Sequence, residues 1–466
     1  MSGGTPTSSR LRRTSRLGGL VAVQGGRIAG GRALDRVRSD EGRDRAQAAR
    51  TAEVVEQIVV QLGRMKGAAM KIGQVISTVE LPGIEPEAGE RIQRRLAELR
   101  DGAPTVQWSR MEKLMASEWG QPVSAVLADI EPQAMAAASI GQVHRATTRD
   151  GVDVAVKVQY PGIAEAVEAD LRNLRVLLPL LGRLAPGLDT KALGDELRER
   201  ISEELDYELE ASNQRRIGRW WRNHPHVLVP RVDTALSTRR VLVTELHEGL
   251  RFDDLKSAGE ARRDRVAEIV HRFYYATAAD HGLVLGDPHP GNWQSLEDGR
   301  VVMFDFGMVR DLPGGPEGYV RREGALLQSV YDQDANALFT VMRDLGYLGD
   351  GSAFSDRRDL LLAHMTIAAA SLIEDQPFRL GPEVQREMTD AMFALGPEWR
   401  QMLRAFSLPR EAILLRRMTD LLYAGCCQLR AEGDWWALAQ ELQIDGQPRT
   451  ALGREHAEWH TRKTYS

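Results

Sequence analysis

The sequence predicts an α+β protein of two lobes: a small antiparallel sheet with a long helix, then a mostly helical body. Three observations carry this. Val152, Val154, Val156 and Val158 alternate with Asp153, Ala155 and Lys157, the period of a half-buried strand. Asp150-Gly151 and Asp298-Gly299 each separate two strand-like runs, and Asp-Gly is a hairpin turn signal. Elsewhere, and above all after Phe252, apolar residues recur at three- and four-residue steps, the spacing of amphipathic helices.

Composition narrows the function classes. The chain has 466 residues, and at roughly 100–200 residues per domain it has room for two to four structural units. Hydrophobic residues make up 42% and charged residues 27%, an ordinary globular balance that excludes a wholly disordered or collagen-like chain. The stretch Leu360 to Ile373 is too short to span a bilayer, and no window offers the ~20 apolar residues a transmembrane helix needs. The two cysteines, Cys426 and Cys427, are adjacent, which rules out a disulfide framework or a four-cysteine zinc site. A soluble, cytoplasmic protein is expected.

Residues 1–50 hold eleven Arg, no Lys and four acids, a charge of +7 within a total of −5. This segment is also rich in Gly and Ser and is expected to be a solvated tail without its own core. Basic tails can touch anionic lipid, so membrane contact, if any, is expected here or through an amphipathic surface. With only this tail basic, no nucleic-acid partner is expected.

From Thr51, Val55, Ile58, Leu62, Met65, Ala69, Ile72 and Ile76 mark a long helix ended by Pro82-Gly83. Helical periodicity follows at Glu87–Leu99 and Ser109–Trp119. A hairpin joins Gln142–Thr147 to the valine strand. Helical patterns then run from Ile163 to Leu184 and from Leu193 to about Ile217, followed by a second hairpin pattern, Val227–Val232 with Arg240–Leu246. The rest reads as helix, broken by one strand pair at Trp293–Ser295 and Val301–Phe304. The expected divisions are a tail (1–50), a helical extension (51–125), a sheet lobe with inserted helices (126–244) and a helical lobe (245–466).

Four segments carry chemistry. Ala136-Ala137-Ala138-Ser139-Ile140-Gly141-Gln142-Val143 fits a nucleotide-covering loop, G-x-G-x-x-G-x-V, with Ala at the first two glycine positions. Small residues let the backbone approach phosphate oxygens. Val154-Ala155-Val156-Lys157 puts Ala155 and Lys157 on one face of the strand, where a nucleotide could lie with its phosphates near the ammonium. Asp287-Pro288-His289-Pro290-Gly291-Asn292 sets a carboxylate and an amide five residues apart on a tight loop, and Asp305-Phe306-Gly307 begins thirteen residues after Asn292. Phosphoryl transfer needs one carboxylate to orient the acceptor and oxygen ligands for magnesium, and these segments supply them at kinase intervals.

On these motifs the chain resembles the UbiB (AarF-like) family of atypical kinases. Lys71-Ile72-Gly73-Gln74 matches the family's K-x-G-Q motif, Ala136 to Gln142 its alanine-rich loop, and Glu204-Leu205-Asp206 its E-x-D motif. Asp287 to Asn292 matches its catalytic loop, and with Asp305 to Gly307 the resemblance covers roughly residues 51–345. It implies a bilobal protein-kinase-like fold with an antiparallel-sheet N-lobe, a helical C-lobe and an N-terminal K-x-G-Q extension. It further implies ATP or ADP with Mg²⁺ as cofactors and a role near membranes in isoprenoid-quinone (ubiquinone) biosynthesis. The partner would be a small-molecule or lipid substrate.

The resemblance also implies roles. Asp287 would be the catalytic carboxylate, Asn292 and Asp305 would hold Mg²⁺, and Lys157 would pair with the nucleotide phosphates and a helix glutamate. Glu204 and Glu210 lie six positions apart, about 120° round one helix, and the residues alone leave that partner open. The family pattern gives Glu210 to Lys157, and Glu204 with Asp206 to Lys71. The 51–79 helix is then expected to fold back so that Lys71 meets Glu204 or Asp206 while Gln74 faces the phosphates. Glu245 and His247 fall at the hinge, whose backbone would bond the adenine. Two departures disfavour protein substrates. Leu285-Gly286 stands where protein kinases have His-Arg, and Gly315-Pro316-Glu317 follows Gly307 too closely for a peptide-docking segment. Alternative readings are a small-molecule or lipid phosphotransferase and a nucleotide-switched regulator without turnover.

Overall fold

The computed structural model describes residues 106–466 apart from 139, 170, 173–197, 199–201, 315–317, 350, 397, 399–404 and 465–466. Lys71 and Gln74, with the 51–79 helix, lie outside the described residues, as do Ser139 and the segment 315–317. The chain divides into two units. One runs to Glu208 and takes in Asp233–Val243; the other holds Leu209–Val232 and everything from Thr244.

In the first unit the alternating valines do what their period requires. Strand β1 (Leu127–Ile130), β2 (Ala136–Ala137), β3 (Gly141–Thr148) and β4 (Asp153–Gln159) form a sheet in which β3 pairs antiparallel with β1, β2 and β4. Gly151 turns the β3–β4 connection with a φ of 79°, a conformation open to glycine at little cost. Val154, Val156 and Val158 are buried against Met111, Leu114 and Met115 of helix α1 (Trp108–Trp119), so this helix packs with the sheet rather than standing in a separate extension. Two buried polar residues share the core face. The Gln142 amide bonds the backbone of Val106 and the ring of His144, and His144 Nδ1 reaches the Glu131 carbonyl at 2.8 Å.

Two expectations fail here. The pattern Val227–Val232 with Arg240–Leu246 is not a hairpin. Strand β6 (Val241–Glu245) joins the first sheet beside β4, whereas β5 (Val227–Leu228) pairs parallel with Val301–Val302 in the second unit. A single bridge, Val232 to Thr244, remains of the expected pairing. Both runs are apolar enough to be central strands, and local pattern does not say which strand each will meet.

The second correction concerns Leu193–Ile217. Its described part is not one helix: the backbone breaks at Asp206, and helix α2 spans Tyr207–Trp220. Asp206 Oδ1 accepts the Glu208 N–H at 3.1 Å, satisfying a free donor at the helix start. Glu204 and Glu210 therefore do not sit on one helix, and the 120° relation between them does not apply.

The second unit is built around helix α3 (Glu260–His281), whose apolar residues from Val266 to Ala279 are almost all buried. Strands β7 (Leu283–Leu285), β8 (Trp293–Ser295), β9 (Val301–Met303) and β10 (Val309–Asp311) follow, then helix α4 (Tyr319–Tyr331). The expected β8–β9 hairpin is present. The β7–β10 pair and a small ladder at Phe378–Arg379 with Glu432–Gly433 are additional. Each is two or three residues long, too short for a period-two pattern to stand out. Helices α5 (Arg410–Leu429) and α6 (Ala451–Thr464) close the chain. Among the described residues no helix is long and apolar enough to cross a membrane.

Helix α6 docks through histidines. His224 Nδ1 accepts the N–H groups of His226 and Val227 at 3.1 and 3.0 Å, so its proton sits on Nε2 and is directed to His456 Nδ1 at 3.0 Å. Burial, with His456 and His226 nearby, pushes the His224 imidazole down to about 2. The unfolded chain therefore binds a proton at this residue below about pH 6.5 that the folded chain refuses. Stability should fall as the pH drops from 7 to 5, by up to ~1.4 kcal/mol per pH unit from this residue. Thermal melts across that range should show a shallower slope in His224→Gln.

Candidate functional site

Two ladders bring the motif segments of the second unit together. β7 ends at Leu285 and pairs with β10, which begins two residues after Gly307, while β8 begins at the residue after Asn292 and pairs with β9, which ends just before the Asp-Phe-Gly segment. Backbone bonds finish the frame: Gly286 N–H to the Met308 carbonyl at 2.9 Å and Phe304 N–H to the Asn292 carbonyl at 2.9 Å. The loop 286–292 and the segment 304–308 are thus held side by side by short strands on both flanks.

Inside that frame the side chains have defined jobs. His289 caps a single 3₁₀ turn, Pro290–Asn292, its Nδ1 accepting the Gly291 N–H at 3.0 Å. Asn292 Nδ2 donates to the Asp287 carbonyl at 2.9 Å, which turns its Oδ1 the other way. Asp305 Oδ1 accepts the Gly307 N–H at 2.9 Å. Tyr274 lies buried on α3, and its phenol is pushed well above its ordinary range by burial, then by the charges of Asp287 and Asp305.

Helix α2 is fixed to this segment. Asn213 Nδ2 donates to the Phe306 carbonyl at 3.1 Å, and the buried Glu210 carboxylate lies 3.9 Å from where a Cβ on Gly307 would sit. Glu210, Asp287, Asn292, Asp305 and Gly307 are therefore assembled within one unit. Glu245 and His247 also belong to it. The Glu245 carboxylate accepts from the Arg231 backbone at 3.1 Å and from its guanidinium at 2.5 Å, and His247 Nε2 stands 3.8 Å from that carboxylate.

One contact was missing from the sequence reading. Arg417, buried on α5, donates from Nε to the Gly286 carbonyl at 2.9 Å and from Nη2 to Asp287 Oδ1 at 3.0 Å. Both side chains of this ion pair are largely buried. Arg417 lies 130 positions beyond Asp287, and only its place on an apolar helix face could have marked it.

The first unit holds the other expected residues. Val143 stands opposite Lys157 and Arg145 opposite Ala155, so Val143, Ala155 and Lys157 share the sheet face turned from the core. The Lys157 ammonium lies 5.0 Å from the centre of the Tyr207 ring. The E-x-D segment is tied to the same strand, because Gln159 Nε2 donates to the Leu205 carbonyl at 2.9 Å. Asp206 stands 3.8 Å from the Arg239 guanidinium.

The alanine-rich loop is the tip of the β2–β3 pair, closed by the Ala138 N–H to the Gly141 carbonyl at 2.8 Å. Ala136 and Ala137 are exposed, but Ile140 is not: its side chain is buried and its carbonyl takes the Tyr160 N–H. Ile140 anchors the loop through its buried side chain.

A Cβ on Gly141 would come within 2.2 Å of the Val158 carbonyl oxygen and 2.9 Å of the Tyr207 hydroxyl. Gly141→Ala should shift the loop and cost ~1–3 kcal/mol of stability. Thermal melts should show the loss.

Asn292 and Asp305 offer hard oxygen ligands of the kind Mg²⁺ takes, and such sites draw their remaining ligands from water and phosphate. That donor set fits magnesium. Among the described residues no group of three or more His, Cys, Asp or Glu is placed to hold a metal by itself.

Residues 98–342 match the ABC1 atypical kinase-like domain. The chain is 32% identical over 259 residues to the zebrafish (Danio rerio) mitochondrial atypical kinase COQ8B, covering 55% of this chain and 41% of that protein. It is 28% identical over 397 residues to the mitochondrial atypical kinase coq-8 of Caenorhabditis elegans, covering 83% of this chain and 50% of that protein. The chain thus spans about half the length of the curated relatives it matches. A solved structure of Rv3197 from Mycobacterium tuberculosis, in complex with erythromycin, aligns with a TM-score of 0.64 at 31% identity. That alignment covers 84% of this chain and 97% of Rv3197. With the family domain matched over more than half of its residues and the kinase-like α+β fold, the chain belongs to the ABC1 (UbiB-type) atypical kinase-like family.

Proposed function

We propose that this protein is a magnesium-dependent, ATP-using member of its family, an ATPase or a phosphotransferase acting on a small molecule or lipid. The observation that carries the reading is the frame around Asp287, Asn292 and Asp305, with Asn292 Nδ2 on the Asp287 carbonyl and Asp305 on the Gly307 N–H. In this reading Asp287 orients the attacking hydroxyl or water and accepts its proton. Asn292 and Asp305 hold the metal, which would neutralise charge on the phosphates, and Lys157 takes the α/β phosphates. The names of the COQ8 relatives and the UbiB motifs support isoprenoid-quinone metabolism as the process, with membrane contact through the basic segment 1–50. The erythromycin complex of Rv3197 supports testing macrolides beside lipids as ligands.

Asp305→Asn removes an anionic oxygen ligand, so calorimetry should show magnesium-dependent ATP binding abolished in this variant. Unchanged MgATP affinity would overturn the metal assignment. Turnover measured with and without anionic liposomes and candidate acceptors separates hydrolysis from transfer. A wild-type chain that binds MgATP and turns over nothing would favour the regulatory reading.

A further inference from the structure

Gly286 precedes the Asp287 carboxylate where protein kinases carry an arginine. A Cβ at this position would come within 2.6 Å of Leu414 and 3.0 Å of Met308. Leu414 belongs to α5, the helix that carries Arg417. The close approach that a side chain at 286 would obstruct is the approach that brings a guanidinium to Asp287 from another part of the chain. Arg417 spends one donor on the carbonyl of residue 286 and another on Oδ1 of residue 287, gripping the loop backbone and the carboxylate together.

The helix itself is pinned at the adjoining residue. The Arg416 guanidinium pairs with the buried Glu323 carboxylate and donates to the Tyr347 hydroxyl at 3.1 Å. Tyr347 in turn donates to Glu323 at 2.5 Å. Neighbouring helix residues point about 100° apart. Arg416 therefore fixes α5 against α4 while Arg417 is turned to the loop.

We infer that Arg417 is a positioning residue for Asp287, holding one carboxylate oxygen and the preceding carbonyl so that the carboxylate meets the acceptor in a single orientation. The inference rests on the proposed ATP-using reading. It assigns a role to a residue beyond the 98–342 segment that matches the family domain. A planar, forked guanidinium is suited to two acceptors at fixed separation, and an ammonium in its place would keep the charge and lose the fork.

The test compares wild type, Arg417→Lys, Arg417→Ala, Asp287→Asn and the double variant Asp287→Asn/Arg417→Ala as full chains. ATP turnover, MgATP affinity by calorimetry and melting temperature are measured for each. Arg417→Ala should lose turnover by about 10²-fold, the scale of a small misplacement at a reacting centre, with MgATP affinity within about threefold of wild type. Arg417→Lys should fall between the two. Added methylguanidinium should restore part of the turnover of Arg417→Ala and none of Asp287→Asn, and the double variant should be no slower than Asp287→Asn alone.

Arg417→Lys keeps the buried charge and serves if Arg417→Ala does not fold. Wild-type turnover in Arg417→Lys together with either wild-type turnover or misfolding in Arg417→Ala would overturn the inference. So would a folded Arg417→Ala that methylguanidinium cannot rescue. If wild type itself shows no turnover, the ATP-using reading falls and takes this inference with it. If wild type turns over, Asp287→Asn does not, and the Arg417 variants match wild type, only the inference falls.

Discussion

Asp287→Asn should leave MgATP affinity near wild type while lowering turnover by ~10²–10⁴-fold, the range a positioned acid–base group contributes. The substitution keeps the shape and the hydrogen-bonding reach of the side chain. It removes the charge that, in the proposed function, accepts a proton from hydroxyl or water. The loop should survive, because the Asp287 carbonyl, the Asn292 amide and the His289 ring hold it, and Asn keeps an Oδ1 acceptor for Arg417. Single-turnover measurements beside calorimetry separate the two effects. Equal turnover in variant and wild type would remove Asp287 from the catalytic role.

The second large effect concerns stability. Arg272 on α3 and Glu441 form an ion pair at 2.8 Å, each side chain 3% exposed. Glu441 also accepts the backbone N–H groups of Arg449 and Thr450, and Arg272 also reaches Glu268 at 2.9 Å and the Thr450 hydroxyl at 2.8 Å. Thr450 Oγ1 accepts the Gly453 N–H at 2.9 Å, so the network caps α6 as it closes the core. A Cβ on Gly453 would sit 2.2 Å from a Glu441 oxygen, which is why that helix can come so close.

Glu441→Ala strands the buried guanidinium and two N–H groups. It should cost on the order of 3–5 kcal/mol, the usual penalty for breaking a buried pair from one side. Urea unfolding should show the midpoint shift. Replacing both partners together, as Arg272→Met with Glu441→Leu, should cost less than the single change predicts, because no buried guanidinium is left without its carboxylate. An additive double variant would show that packing rather than charge sets the penalty.

The amino-acid sequence by itself determined what depends on short range. The alternation from Val152 to Val158 fixes which face of β4 carries Lys157, since a pleated strand leaves no other choice. Asp150-Gly151 and Asp298-Gly299 make their turns because glycine enters positive φ freely. The spacing of Asp287, Asn292 and Asp305 allows only a tight loop, a hairpin and a return, and that is how the three are brought together. Tertiary structure alone decided the rest. Val227–Leu228 chose β9 as its partner over the nearby Arg240–Leu246 run, because sheet pairing is settled by the whole core and not by the strand's own pattern. The break at Asp206 depends on a cap, together with the Tyr207 N–H donating to the Arg239 carbonyl from a segment more than thirty residues away. Arg417 meets Asp287 across 130 positions because Gly286 leaves room for α5, a steric fact that no periodicity records. Local rules see residues within a few turns of one another, whereas a buried charge finds its partner only once the helices that carry both have packed.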